Sequence, residues 1–411
     1  MTSGFMENLA ARWPFWVGIS ARRVLRLYLL LSGLMMFILL MIALTIDMAK
    51  YLPDVRLKAE NMDQPLAQVL LPYLGYRAVD IVTRLLPMAC FLGLFLAEIL
   101  RAFRLERIIL AFAGFSPVKS LPVILLFAIL VGSIEAALET RLRPWAVFAQ
   151  VDLGLGAYGR RFDPQLSENP VWFVIGDTAI RARILRGEAP ELRDIEMFRG
   201  LDQSRLTSVL VAARATPGGA DKTWRFEYVT EWQADADGRR YKMQKTPVRE
   251  ITLELLPEQV RYYNIDSYYL PTKDLNRIAT MHDAETASDA DTAIWRRWSA
   301  FLLPGAFAFL GASLAQVGYR ARRASVVPLI FYALVGYLSI VSVKVLWALG
   351  ELGVLAAPVA VLGSIAGTIL VAITLQISQS RARIQWSNLW RNLWVLGKKQ
   401  ASKIPKADPK S

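Results

Sequence analysis

Glu135 and Glu139 stand one helical turn apart and can be drawn as an acid–base pair. Arg141 and Arg143 follow at once, so a salt-bridged rim is the better reading of that spacing. Five other ionisable residues, Asp47, Lys50, Arg77, Arg84 and Lys344, fall in or beside long apolar stretches. A charge at membrane depth is costly, so it faces a cavity or a partner, or snorkels to the headgroups. Several cations around one outer-leaflet cavity would suit a lipid bearing phosphates or carboxylates. The chain has no GxxxxGK[ST] phosphate loop, so nucleotide hydrolysis by that route is excluded, and GxSxG and HExxH are absent too. The single cysteine, Cys90, permits no internal disulfide. The single histidine, His282, has no second histidine or cysteine nearby, so no zinc site is expected. No catalytic cluster emerges, and the chain is expected to be neither an enzyme nor a cofactor carrier.

The elements that must position these residues are mostly membrane spans. Of 411 residues, 54% are hydrophobic and only 20% charged, and the charges are unevenly spread. Apolar runs of about the ~20 residues that a bilayer core needs cover 24–46, 81–100, 121–138, 298–317, 326–347 and 354–377. The first run is long enough to span and no small-residue cleavage site follows it, so a removed leader is not expected. A balanced polar loop is expected over 47–63, and a short apolar approach helix over 69–76. Pro304 sits in the first turns of the fourth span, where proline is tolerated.

Between the two triplets the periodicity shifts toward two. Strands are predicted over 171–175, 178–185, 206–213, 224–232 and 248–256, separated by turn clusters such as Thr216-Pro217-Gly218-Gly219 and Asp235-Ala236-Asp237-Gly238. A short strand and helix over 268–278 would return the chain to the membrane. The fold class is therefore a membrane protein of mixed α and β type. It has six transmembrane helices, three plus three, with an antiparallel β domain, a sandwich or jelly roll, inserted between the third and fourth. The segments read as a lead (1–23), three spans with a basic amphipathic segment at about 101–117 (24–143), the β domain (144–294), three spans (295–378) and a basic, Trp-rich tail (379–411).

The net charge of +13 points first to nucleic acid, but the basic excess sits beside apolar spans, where it sets topology. The lead, the Arg101/Arg104/Arg107 segment, the Arg320/Arg322/Arg323 turn and the tail all fall on one side of a six-span arrangement. The positive-inside rule then puts both termini in the cytoplasm and the β domain outside. The segment 101–119 is too charged for lipid, yet Ile108, Ile109, Phe112 and Phe115 give it one apolar face at helical spacing. It reads either as an interfacial helix anchoring a hairpin or as a lever gripped by a soluble partner. Trp386, Trp390 and Trp394 form a stripe that would hold the tail on the inner leaflet.

Over about 20–378 the order of three spans, outer β domain and three spans resembles the lipopolysaccharide export permeases, the LptF/LptG (YjgP/YjgQ) family. Leu105 to Ser116 looks like that family's coupling-helix motif, with Glu106, Gly114 and Ser116 in the matching places. Leu86-Pro87-Met88-Ala89 is similar to its Leu-Pro-x-Ala, and Trp172-Phe173, Leu192-Arg193-Asp194-Ile195 and Trp224-Arg225-Phe226 are similar to its strand motifs. Ala111 stands where the family usually has arginine, the last span lacks the common proline, and the tail is longer than usual, so the chain looks like a divergent member. Asp47-x-x-Lys50 leans toward the LptG-like half.

The resemblance implies an ABC-transporter permease of the bacterial inner membrane. A cytoplasmic ATPase dimer would bind the ATP and grip Glu106, Arg107, Gly114 and Ser116. Lys50, Arg77 and Arg84 would meet phosphates or carboxylates of lipopolysaccharide. A second LptF/LptG-type subunit, a single-span LptC-like protein and a periplasmic bridge protein are the further partners it implies; nucleic acid is not one. Two other classes stay open on the residues alone. A non-transporting scaffold would bind an envelope protein or lipid through the β domain and would have no ATPase partner. A lipid-modifying enzyme would need a catalytic cluster that the sequence does not display.

Overall fold

The chain opens with two long antiparallel helices, α1 (Ile19–Asn61) and α2 (Leu66–Phe103). They belong to a computed structural model that describes residues 19–106, 109, 121–161, 167, 169–186, 189–203, 206–219, 222–235, 241–280, 284–318 and 326–381. With 43 residues, α1 is about 65 Å long, roughly twice a bilayer's hydrocarbon core. The expected polar loop over 47–63 is instead mostly the C-terminal part of that helix. Tyr51, Val55 and Ala59 recur every fourth residue and pack on Val69, Tyr73 and Leu155. The expected approach helix at 69–76 is likewise continuous with the second span in α2.

Helix α3 (Leu121–Ala137) passes through a π-helical turn (Leu138–Leu142) into α4 (Arg143–Asp152) and then α5 (Gly156–Arg161). Beyond the sheet come α6 (Pro257–Arg261), a 3₁₀ turn (Ser267–Tyr269), α7 (Thr272–Ala279), α8 (Ala284–Ser299), α9 (Leu303–Gly318), α10 (Val326–Glu351) and α11 (Ala357–Arg381). The strand expected near 268 is that 3₁₀ turn. By length and composition, five helices among the described residues can cross a membrane: α1, α2, the continuous 121–152 run, α10 and α11. Helices α8 and α9 pass the same test only as a pair, bent by 63°. Where a straight fourth span is expected, the chain forms two helices that meet at this bend. The first half of α8 is polar (ETASDADT), and Pro304 starts a new helix where its missing N–H costs nothing.

Helix α9 is buried along nearly its whole length against α2, α3, α10 and α11. Its run of small residues allows that. A Cβ on Gly311 would collide with the Phe91 carbonyl oxygen of α2, so the two backbones touch only because glycine is there.

The sheet has six antiparallel strands: β1 (Val171–Ile175), β2 (Thr178–Leu185), β3 (Glu191–Arg199), β4 (Ser208–Pro217), β5 (Thr223–Ala234) and β6 (Tyr241–Thr252). Each pairs with the next in chain order. The connectivity among the described residues is thus a meander, not the strand exchange between two sheets that a sandwich or jelly roll requires. The connections are short enough to close hairpins directly. The ladder is irregular in three places: the register slips between Arg181 and Arg183, and Asp194 and Tyr228 take positive φ on the strands flanking β4. Its apolar core collects Ile180, Leu192, Ile195, Met197, Leu210, Trp224 and Phe226.

Strand β3 escapes a period-two reading because the Asp194 irregularity puts buried Leu192 and Ile195 three residues apart. Most of β6 escapes because it is a polar edge strand, where Pro247 costs no ladder bond. Trp224 is fully buried and its indole Nε1 donates to the Leu255 carbonyl at 2.8 Å. Trp224→Ala should therefore destabilise the β region by about 3–5 kcal/mol. Limited proteolysis of 171–252 at rising temperature would register this as cleavage at a lower onset than in the parent; an unchanged onset would contradict the packing described.

Candidate functional site

Asp80 is fully buried in α2, and three guanidinium groups converge on it. Arg77 and Arg84 lie one turn before and after it on the same helix face. Arg77 Nη1 donates to Oδ2 at 3.0 Å. Arg84 Nε donates to Oδ1 at 3.1 Å and Nη2 to Oδ2 at 2.9 Å. Arg143, at the start of α4, brings Nε to Oδ1 at 3.0 Å. Each arginine is also held elsewhere. Arg77 reaches Asp47 of α1 at 2.6 and 2.9 Å, and the Tyr73 hydroxyl donates to the same carboxylate at 3.0 Å. Arg143 Nη1 spans both Glu139 oxygens at 2.8 and 3.0 Å. Glu139 lies within the π turn and Arg143 is the residue that follows it. Arg84 donates to the Tyr158 and Tyr269 hydroxyls. Three carboxylates thus meet three guanidinium groups, and the cluster is neutral as a whole.

Two outer phenols close the cluster. The Tyr158 and Tyr268 hydroxyls both donate to Tyr269, at 2.6 and 2.8 Å. Burial, reinforced by Asp80 for Tyr158 and by Tyr269 for Tyr268, pushes both phenols well above their ordinary range, so they stay neutral donors. The 3₁₀ turn carrying Tyr268 and Tyr269 is fixed by Arg297 of α8, which donates to the carbonyls of Tyr268 and Leu270 and to the Thr272 hydroxyl.

Beside the cluster lies a cavity of about 320 Å³ between α2, the α3–α4 run, α8, α9 and α10. One side is apolar, with Pro87, Met88, Leu303, Phe307 and Ile340. The other carries Arg84, Arg143, Tyr268, Arg296, Lys344 and Glu135. Among the described residues, three polar atoms of the residues around it are buried without a hydrogen-bond partner: Glu135 Oε2, Arg296 Nε and Trp347 Nε1. Arg296 pairs with Glu351 at 2.7 Å and stacks over Trp347 and Tyr268 at 4.5 and 4.6 Å. Lys344 has no carboxylate partner among the described residues.

The candidate residues read from the sequence separate here. Arg84 lines the cavity with its side chain 41% exposed. Arg77 is only 16% exposed, is held by Asp47 and Asp80, and does not line the cavity. Lys50 is exposed beside Tyr51, also off the lining. Lys344 joins Arg84 as expected of a cavity cation. Of the Glu135/Glu139 pair, Glu139 forms the anticipated rim salt bridge with Arg143, while Glu135 faces the cavity. Asp80, Arg296 and Trp347 were not singled out from the sequence. The Arg77–Asp80–Arg84 spacing was a readable sign; the two α8 and α10 residues offered none, because their meeting depends on the bend before α9.

At the other end of α2, Leu105 with φ +56° turns the chain out of the helix. Glu106 is 26% exposed and lies 3.5 Å from Arg23 and 3.6 Å from Arg101. Arg101 and Glu98 form a buried pair within hydrogen-bond reach of Tyr28. Gln316 of α9 donates to Glu98 at 3.4 Å, and Gln376 of α11 to Gln316 at 2.9 Å. Arg107, Gly114 and Ser116, most of the amphipathic segment, His282, the Arg320/Arg322/Arg323 turn, residues 1–18 of the lead and 382–411 of the tail lie outside the described residues.

Removing the charge at the hub should be severe, because three guanidinium groups lose their common partner. Asp80→Asn is expected to cost about 3–5 kcal/mol. A melting temperature in detergent equal to that of the parent would show that the arginines do not depend on it.

The family model described as lipopolysaccharide export system permease LptF/LptG matches residues 18–377. No curated protein sequence matches the chain significantly. The match runs through every spanning helix, the sheet and both polar clusters of α2, and the chain belongs to the LptF/LptG family of lipopolysaccharide export permeases, multi-pass proteins of the inner membrane.

Proposed function

We propose that the chain is the permease subunit of an ABC transporter that extracts lipopolysaccharide, or a related glycolipid, from the outer leaflet of the inner membrane. It passes the lipid to a periplasmic bridge and is driven by a separate cytoplasmic ATPase dimer, which binds the ATP. In this reading α1, α2 and the α3–α4 run form the first three spans, and the α8–α9 pair, α10 and α11 form the second three. The sheet is periplasmic and both termini are cytoplasmic, in keeping with the positive-inside distribution. A second LptF/LptG-type subunit and a single-span LptC-like protein complete the assembly.

The observation that carries this reading is the cavity beside Asp80. It joins an apolar wall to Arg84, Arg296 and Lys344. An amphiphile with an anionic head fits such a lining: phosphate or carboxylate oxygens accept from the cations and the Trp347 indole, and the chain side meets Pro87, Met88 and Phe307. Arg77 acts through Asp80, as a positioning residue for Arg84. Lys50 contributes away from the cavity, at the headgroup level.

At the opposite end, Glu106, Arg107, Gly114 and Ser116 dock in the ATPase. Glu106 is held loosely enough by Arg23 and Arg101 to exchange them for a basic residue there. Glu106→Arg should leave the chain folded and inserted but abolish ATP-dependent release of lipopolysaccharide from proteoliposomes. Normal release by that variant would remove the coupling role. Lys344→Glu should weaken photo-crosslinking to lipopolysaccharide while ATPase co-purification is unchanged; undiminished crosslinking would place the headgroup elsewhere.

A further inference from the structure

A second cavity, of about 540 Å³, lies at the basic end of the bundle, between the first described turns of α1 and the turn after α2. It is lined by Arg22, Arg23, Arg26 and Arg104, with Glu106 the only carboxylate and Leu27 and Leu30 on its apolar wall. Arg22 and Arg26 are four residues apart, and Arg23 and Arg26 three, so like charges face one another on the helix surface and repel. Only Arg23 has a carboxylate within reach, Glu106 at 3.5 Å. Arg22, Arg26 and Arg104 have none among the described residues. Along α1 the same stripe runs from cation to hydrocarbon: Arg22, Arg26 and Leu30 follow at four-residue steps, over about 12 Å. Arg104 approaches from the other helix, so the cations converge from two segments instead of fanning out from one.

We propose that this groove is a site for one anionic glycerophospholipid of the adjacent leaflet. Its phosphodiester lies among Arg22, Arg26 and Arg104, and an acyl chain lies along Leu27 and Leu30. Basic pockets between spans at this depth suit such headgroups, and each arginine at the surface adds to the attraction. The apolar wall favours a lipid over a soluble anion or an acidic protein face. The bound phosphate would also compete with Glu106 for Arg23. Headgroup binding would then free the Glu106 carboxylate, a consequence that rests on the coupling role proposed above; the binding itself does not.

The test uses the full chain, purified in a mild neutral detergent with whatever partners it retains. Native mass spectrometry follows its retention of dioleoyl phosphatidylglycerol, dioleoyl phosphatidylcholine or inorganic phosphate. Saturable retention of phosphatidylglycerol is expected, with phosphatidylcholine lost at the same ratio. The double variant R26Q/R104Q should bind phosphatidylglycerol about tenfold more weakly or worse. Its lipid-free melting temperature serves as the folding control. Equal retention of phosphatidylcholine, undiminished binding by the double variant, or displacement by inorganic phosphate at the lipid's own concentration would each overturn the proposal. Should the double variant not fold, the comparison of the two lipids on the parent chain decides alone. Because binding is read without export or ATP, its failure leaves the coupling role of Glu106 to be judged separately by Glu106→Arg.

Discussion

A carboxylate buried in an apolar helix cannot stay alone, and much of the half of this molecule nearer the sheet follows from how Asp80 is satisfied. An isolated buried charge would cost several kcal/mol, so Asp80 recruits Arg77, Arg84 and Arg143, and each arginine recruits a further partner. The result ties α1, α2, α4, α5 and the 3₁₀ turn at Ser267–Tyr269 into one hydrogen-bonded unit. Such a cluster is poor as net stabilisation compared with packed leucines. It is strict about geometry, because the fork-shaped guanidinium groups accept only certain placements of their carboxylates. What it secures is the position of Arg84, the one guanidinium of the cluster that is also well exposed at the cavity.

Helix α2 carries a second buried charge cluster, Glu98 with Arg101, 18 residues further along and so about 27 Å away. One rigid element therefore joins the amphipathic cavity at one end to the segment that begins at Glu106 at the other. Helix α9 runs beside it and touches both sites: Leu303 and Phe307 line the cavity, and Gln316 reaches Glu98. Close approach at Gly311 lets these two helices move only as a packed pair.

Local pattern made several features readable. The apolar runs, the period-two strands over 171–185 and the Arg77–Asp80–Arg84 spacing are all properties of neighbouring residues. Where reading failed, the cause was a departure from regular periodicity. Residues 47–61 look like a loop because they are charge-rich, yet Tyr51, Val55 and Ala59 bury one stripe against α2 and α5. Strand β3 is hidden by the irregularity at Asp194, and β6 by the polarity that an edge strand tolerates. The sandwich or jelly-roll expectation rested on period-two runs, turn clusters and domain size, none of which distinguishes a meander from an exchange between sheets.

By itself the sequence determined that the chain spans a membrane, which face of it is basic, that a β region interrupts the spans, and which motifs tie it to the LptF/LptG permeases. Those properties are set by composition and short-range order, and hydrocarbon enforces them directly. Only the tertiary structure decided which cations are consumed and which are displayed. Arg77 and Arg84 are alike in sequence, seven residues apart on one helix, but Asp47 from α1 claims the first and the cavity exposes the second. Arg296 and Trp347 meet only because α8 bends away from α9, and Glu135 faces them only because α3 packs alongside. Partners that lie tens to hundreds of residues apart leave no local signature, so pairing among buried charges had to be seen in three dimensions.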